Sequence, residues 1–145
     1  TQWILSRQLH HEETQYDIAL RLRADSIDSL NQVKIRQILK EHGFPKKTEV
    51  GTSACEAAWI IIQHAPLDVQ KEYLPMLERA ATEGNIQAAL VAALHDRIDV
   101  REGRPQKYGT QRNHNGICPL LNKKMVNQWR KEAGLPPLDE YSKRT

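Results

Sequence analysis

At 145 residues the chain has the length of one domain with a core of its own. Its 39% hydrophobic and 27% charged residues fit a globular protein, and no apolar run approaches the roughly 18 residues a membrane-spanning helix needs. The net charge of +3 is uneven: residues 1–100 carry 11 basic and 14 acidic side chains, residues 101–145 carry 10 basic and 4 acidic. A basic C-terminal third can meet phosphates or an acidic partner, but solvated surface lysines and arginines have the same composition. The chain opens on Thr1, as a processed or excised form would, so the lack of a visible targeting signal excludes no compartment.

Residues 2–24 read as an amphipathic helix, with Trp3, Ile4, Leu5, Leu9, Tyr16, Leu20 and Leu22 near helical spacing. Asp25 or Ser26 is placed to cap a second helix, which runs to His42 with Leu30, Val33, Ile38 and Leu39 as its apolar stripe and Gly43 as its stop. A loop follows through Phe44-Pro45 to Gly51. Ser53-Ala54-Cys55-Glu56 then matches a capping box. The helix it opens, Ala54 to His64, is apolar nearly all round and is expected at the centre of the core. Another helix runs from Asp68 to Glu83, with Pro75 as a candidate start for a separate segment.

Asn85 can cap the next helix, which extends to about Glu102 and stops at Gly103. Asn113-His114-Asn115-Gly116 is a turn signal, flanked by 107–111 and 117–120 as a short hairpin. Asn122 caps a helix to Ala133, ended by Gly134, and a short tail leads to Tyr141. The expected fold is therefore a single, mainly α domain over 1–145: about six helices around a central apolar helix, with one irregular loop or hairpin after Gly103. Cys55 reads as a small buried hydrophobe. Its partner in a long-range disulfide would have to be Cys118.

The segment 102–111 carries few apolar residues, so packing does not account for its composition. Its Arg, Gln, Tyr and Thr can grip an anion or an amide through several donors and acceptors. Gln63 and His64 end an otherwise apolar helix and must find partners or face a cavity. A histidine there suits a helix C-terminus as a cap, or an acid/base role. Asp96 and Arg97 are adjacent, so on a helix they point about 100° apart: one can brace the loop while the other faces a ligand. The candidate site is thus His64 and Asp96 as acid/base and orienting pair, with Gln63, Arg97, Gln106, Tyr108, Thr110 and Gln111 binding ligand.

His10 and Glu13 share a helix face and with His64 would make a two-histidine, one-carboxylate set, but one such spacing is a weak signal and no metal is expected. No cofactor is expected either, since neither a P-loop nor a GxGxxG is present. Tyr108 with Arg104, Lys107 and Arg112 offers stacking and phosphate contacts but matches no nucleic-acid motif, so nucleic acid is not the expected partner. The oligomeric state is left open.

Several segments together resemble a bacterial family of domains of unknown function. They are Gly43-Phe44-Pro45, Val50-Gly51, Gln63-His64-Ala65, Asp96-Arg97, the loop Gly103-Arg104-Pro105-Gln106-Lys107-Tyr108-Gly109-Thr110-Gln111, and Gly134-Leu135-Pro136-Pro137-Leu138-Asp139-Glu140-Tyr141. The chain departs from that pattern at Phe44, where tryptophan is usual, and at Thr14-Gln15, where an Asp-Gln pair is usual. The resemblance implies a shared helical fold and a shared polar site, and no activity. Three functional expectations follow: a pocket that binds or processes a small polar, peptide or sugar ligand, with His64 as acid/base; a non-catalytic interaction domain whose polar cluster is structural; and a nucleic-acid or acidic-partner binder using the basic C-terminal third.

Overall fold

A computed structural model describes residues 15–139. Among them six helices and one small hairpin follow in the order α1 (Gln15–His42), α2 (Lys47–Val50), α3 (Thr52–Gln63), α4 (Leu67–Thr82), α5 (Ala88–Arg101), β1 (Arg112–Asn113), β2 (Gly116–Ile117) and α6 (Val126–Glu132). The fold is mainly α. The expected features on Trp3 to Leu9, on His10 and Glu13, and on Tyr141 lie outside the described residues.

The break expected at Asp25–Ser26 does not occur: α1 is one helix, about 42 Å long at a rise of 1.5 Å per residue. Ser26 Oγ donates to Leu22 O at 2.8 Å and Ser29 Oγ to Asp25 O at 2.9 Å. The serine satisfies itself against the preceding turn of a running helix instead of capping a new one. Residues 15–30 are all exposed, and α1 enters the core only near its end, through Ile35 and Leu39.

The capping box at Ser53 is not formed either. Gly51, at φ +84°, turns the chain directly from α2 into α3, which begins at Thr52, so Ser53 already lies inside the helix and makes no cap bond. Asn85 caps a different helix from the one expected. Its Oδ1 accepts the N–H of Lys47 at 3.0 Å, at the start of α2, while α5 begins after Gln87 without a side-chain cap. Asn122 does act at the start of its segment, accepting the N–H groups of Lys124 and Met125. Pro75 does not divide α4: it lies exposed on the outer side, while Val69, Tyr73, Leu77 and Ala80 hold the other face in the core.

The core joins Leu39 of α1, Ile62 of α3, the α4 stripe, and Ile86, Val91, Leu94 and Ile98 of α5 and its approach. The apolar helix α3 feeds it with Ala58 and Ile62 and is tied to α5 by Trp59 Nε1 donating to Leu90 O at 3.0 Å, though Ile60 stays 47% exposed. Both cysteines are free and buried; no disulfide joins them. Burial raises the pKa of the Cys55 thiol above its ordinary value.

Candidate functional site

The polar residues singled out in the sequence fall into two groups with opposite hydrogen-bonding states. The first group is saturated. Asp96, on the inner face of α5, is fully buried. Its Oδ1 accepts the N–H groups of Lys107 and Tyr108, each at 2.9 Å, and its Oδ2 accepts the N–H and the hydroxyl of Thr110, each at 2.9 Å. Four donors fill the lone-pair capacity of one carboxylate. The backbone between Lys107 and Thr110 is thereby wrapped around a single side chain.

Gln106, also fully buried, extends this lattice. Its Nε2 donates to Gln111 O and Cys118 O, both at 2.9 Å, and its Oε1 accepts Gln111 N–H at 2.8 Å. Its backbone bridges to the segment beyond the hairpin, with Gln106 N–H to Pro119 O at 2.9 Å and Leu121 N–H to Gln106 O at 2.8 Å. Gln111 Nε2 donates to Ala93 O and to Thr110 Oγ1. The hairpin expected here is present but shorter: Arg112 pairs with Ile117 and Asn113 with Gly116, and Asn113 Oδ1 accepts Asn115 N–H to shape the turn.

Arg130 of α6 closes the lattice from the far side. It donates through Nη1 to Tyr108 O at 2.7 Å and through Nε to Pro136 O at 2.6 Å. Burial lowers its pKa from the ordinary arginine value, with the Asp96 charge acting in the opposite sense. Gly109 completes the packing at φ +69°, where a Cβ would lie 2.6 Å from Leu138 Cδ1 and 3.0 Å from Leu120 Cδ2. The tail that brings Leu138 there is held by Asn127, which accepts Leu138 N–H at 2.8 Å and donates to Leu138 O at 3.1 Å.

The second group is unsatisfied. Gln63, 8% exposed at the end of α3, has its Oε1 buried with no partner among the described residues. His64 beside it is exposed to solvent. Arg97 is half-buried, its Nε is shielded from water, and it forms no hydrogen bond or ion pair with any described residue. Burial first, and then the positive charge of Arg101, lower the Arg97 pKa from its ordinary value.

Arg101 lies four residues on, on the same face of α5. It donates through Nη1 to Ala65 O and to Gln70 Oε1, both at 3.0 Å, and Gln70 Nε2 donates to Gln63 O at 2.7 Å. The end of α3 is therefore fastened to α5 at Arg101, one turn from Arg97. Sequence reasoning missed Arg101, whose signal was its spacing of four from Arg97. It missed Gln70 and Arg130, whose burial no local pattern announced. Tyr108 stands apart from both groups: its backbone belongs to the lattice, while its ring meets His95 edge-on at 6.2 Å between centroids.

The described residues form a mainly α fold in which one buried carboxylate organises a polar loop. The model of a family of unknown function, DUF6624, matches residues 10–144, and the chain belongs to that family. Neither curated proteins nor solved structures gave a match.

Proposed function

We propose that the domain binds a small ligand bearing a carboxylate or phosphate, held at Arg97 with Arg101 contributing charge, and with Gln63 and His64, at the α3 end that Arg101 fastens, as further contacts. The observation that carries this reading is the state of Arg97: a half-buried arginine with no ion-pair partner among the described residues and a shielded, unbonded Nε, near a second arginine. The shielded Nε has no acceptor among the described residues, and an oxyanion there would accept from it through a charge-assisted hydrogen bond of about 1.5–3 kcal/mol. The buried Gln63 Oε1 needs a donor, which a hydroxyl or amide of the same ligand would supply. If a reaction follows binding, His64 is the acid/base. Asp96 gives all four of its hydrogen bonds to the loop, so in this reading it positions the loop and does not orient His64.

The saturated lattice favours a purely structural role for Asp96, Gln106, Thr110 and Gln111, as an interaction domain would have, but it gives no account of Arg97. The basic C-terminal third supports nucleic-acid binding less well. Arg104 is engaged by Asp99 and Glu102, and Arg130 is buried on backbone carbonyls.

The test is a thermal-shift series with phosphate, sulfate, acetate and citrate at constant ionic strength, on wild type, Arg97→Met and Arg101→Ala. Saturable stabilisation of wild type that Arg97→Met abolishes is expected. Stabilisation that persists in Arg97→Met, or a folded wild type indifferent to every anion, overturns the proposal.

A further inference from the structure

A second cleft, of about 220 Å³, opens between α4, α5 and α6. Its apolar floor includes Val91 and Ala92, and its polar walls are Glu78 of α4, Glu132 of α6, His95 of α5 and Tyr108 of the loop. Arg97, Gln63 and His64 are not on its walls, so it is separate from the site proposed above. The Glu78 side chain makes no hydrogen bond or ion pair with any described residue, its backbone carbonyl alone accepting Thr82 Oγ1 at 3.1 Å, and Glu132 Oε1 accepts the neutral Gln128 Nε2 at 3.2 Å. Neither carboxylate has an ion-pair partner among the described residues, and both line the same space.

The ring wall is held firmly. His95 Nδ1 lies 3.1 Å from Asp99 Oδ2, though off the line of a hydrogen bond. Asp99 is itself anchored by Arg104, whose Nε and Nη2 reach Oδ1 at 3.1 and 2.6 Å. Tyr108 is fixed through its backbone by Asp96 and Arg130. The same ring already carries one ammonium: Lys107 Nζ rests 5.1 Å from the Tyr108 centroid and 5.3 Å from that of Trp129.

We infer that this cleft binds a protonated alkylamine, its aliphatic stem on the Val91–Ala92 floor and its ammonium between Glu78 and Glu132 beside the Tyr108 ring. Two unpaired carboxylates repel an anion, and an uncharged guest leaves them no better matched than water does. The volume suits a stem of a few carbons, whether on a free amine or on a lysine side chain.

The experiment follows the His95 and Tyr108 ring signals by NMR during titration with n-butylamine, N-acetyl-lysine methylamide, butyrate and 1-butanol, each at constant ionic strength. Saturable shifts with the amines, absent with butyrate and at most weak with butanol, are expected. Affinity should drop about fivefold for each of Glu78→Gln and Glu132→Gln, the loss of one partly screened ion pair. Both positions are exposed, and circular dichroism checks that each variant keeps its fold. Binding of butylamine alone assigns the cleft to free amines, and binding of the lysine amide alone assigns it to peptide lysines. Equal response to butyrate, affinities unchanged in both variants, or no shift with either amine refutes the inference.

Discussion

Replacing Asp96 by Asn keeps the shape of the side chain and removes the feature on which the loop depends. With Oδ1 left in place, the Lys107 and Tyr108 N–H groups keep an acceptor, and the new amide nitrogen faces Thr110. The Thr110 hydroxyl can rotate to accept, but its N–H then points at another donor. The part-buried Thr110 N–H thereby loses its charge-assisted bond and is left without an acceptor, a cost of about 3 kcal/mol. For a chain of this size that lowers Tm by roughly 6–12 °C. The assay is calorimetric unfolding with amide hydrogen exchange on the folded variant: Thr110 N–H should lose protection while Lys107 and Tyr108 keep most of theirs. A Tm drop under about 2 °C, or equal loss of protection at all three amides, refutes the assignment of Asp96 as the loop's organiser.

Gly109→Ala should cost about 2–4 kcal/mol, because it combines a left-handed backbone with a Cβ driven against Leu138 and Leu120; chemical denaturation measures it. Cys55 and Cys118 should both resist a thiol reagent in the native state and react in denaturant, since both are buried and free. Hydrogen bonds from Lys71 and Arg104 hold the Glu102 pKa below its ordinary value. A depressed folded pKa stabilises above the unfolded value and ceases to as pH falls through the folded one. Wild type should therefore exceed Glu102→Gln in stability near neutrality, and the difference should vanish under acid, as unfolding at several pH values will show.

Helix ends and the hairpin were legible in the sequence because they rest on local chemistry, whereas the helix number agrees only because the two helices expected before Gly43 are one and the expected loop to Gly51 holds the short α2. Gly43, Gly84, Gly103 and Gly134 each follow a helix at φ between +73° and +76°. The starts were read less well. Ser26 and Ser53 have the composition of caps, but serine also bonds the turn behind it, and neighbouring elements decide between the two. Asn85 caps α2 across 38 residues of chain, a choice no local window contains. The candidate site stands out in the sequence only as a set of polar residues with too little apolar work to explain them. Its division into a saturated lattice around Asp96 and Gln106 and an unsatisfied group at Gln63 and Arg97 does not, since satisfaction depends on which carbonyls and amides the fold brings near.

The most direct measurement is the Nε–Hε resonance of Arg97 in a two-dimensional ¹⁵N spectrum during titration with phosphate, with chloride at equal ionic strength as control. The account predicts a saturable shift and slowed exchange of that proton with phosphate alone, because a shielded, unpartnered donor gains an acceptor. An Arg97 resonance unmoved by phosphate, while exposed arginines respond as they do to chloride, would contradict it.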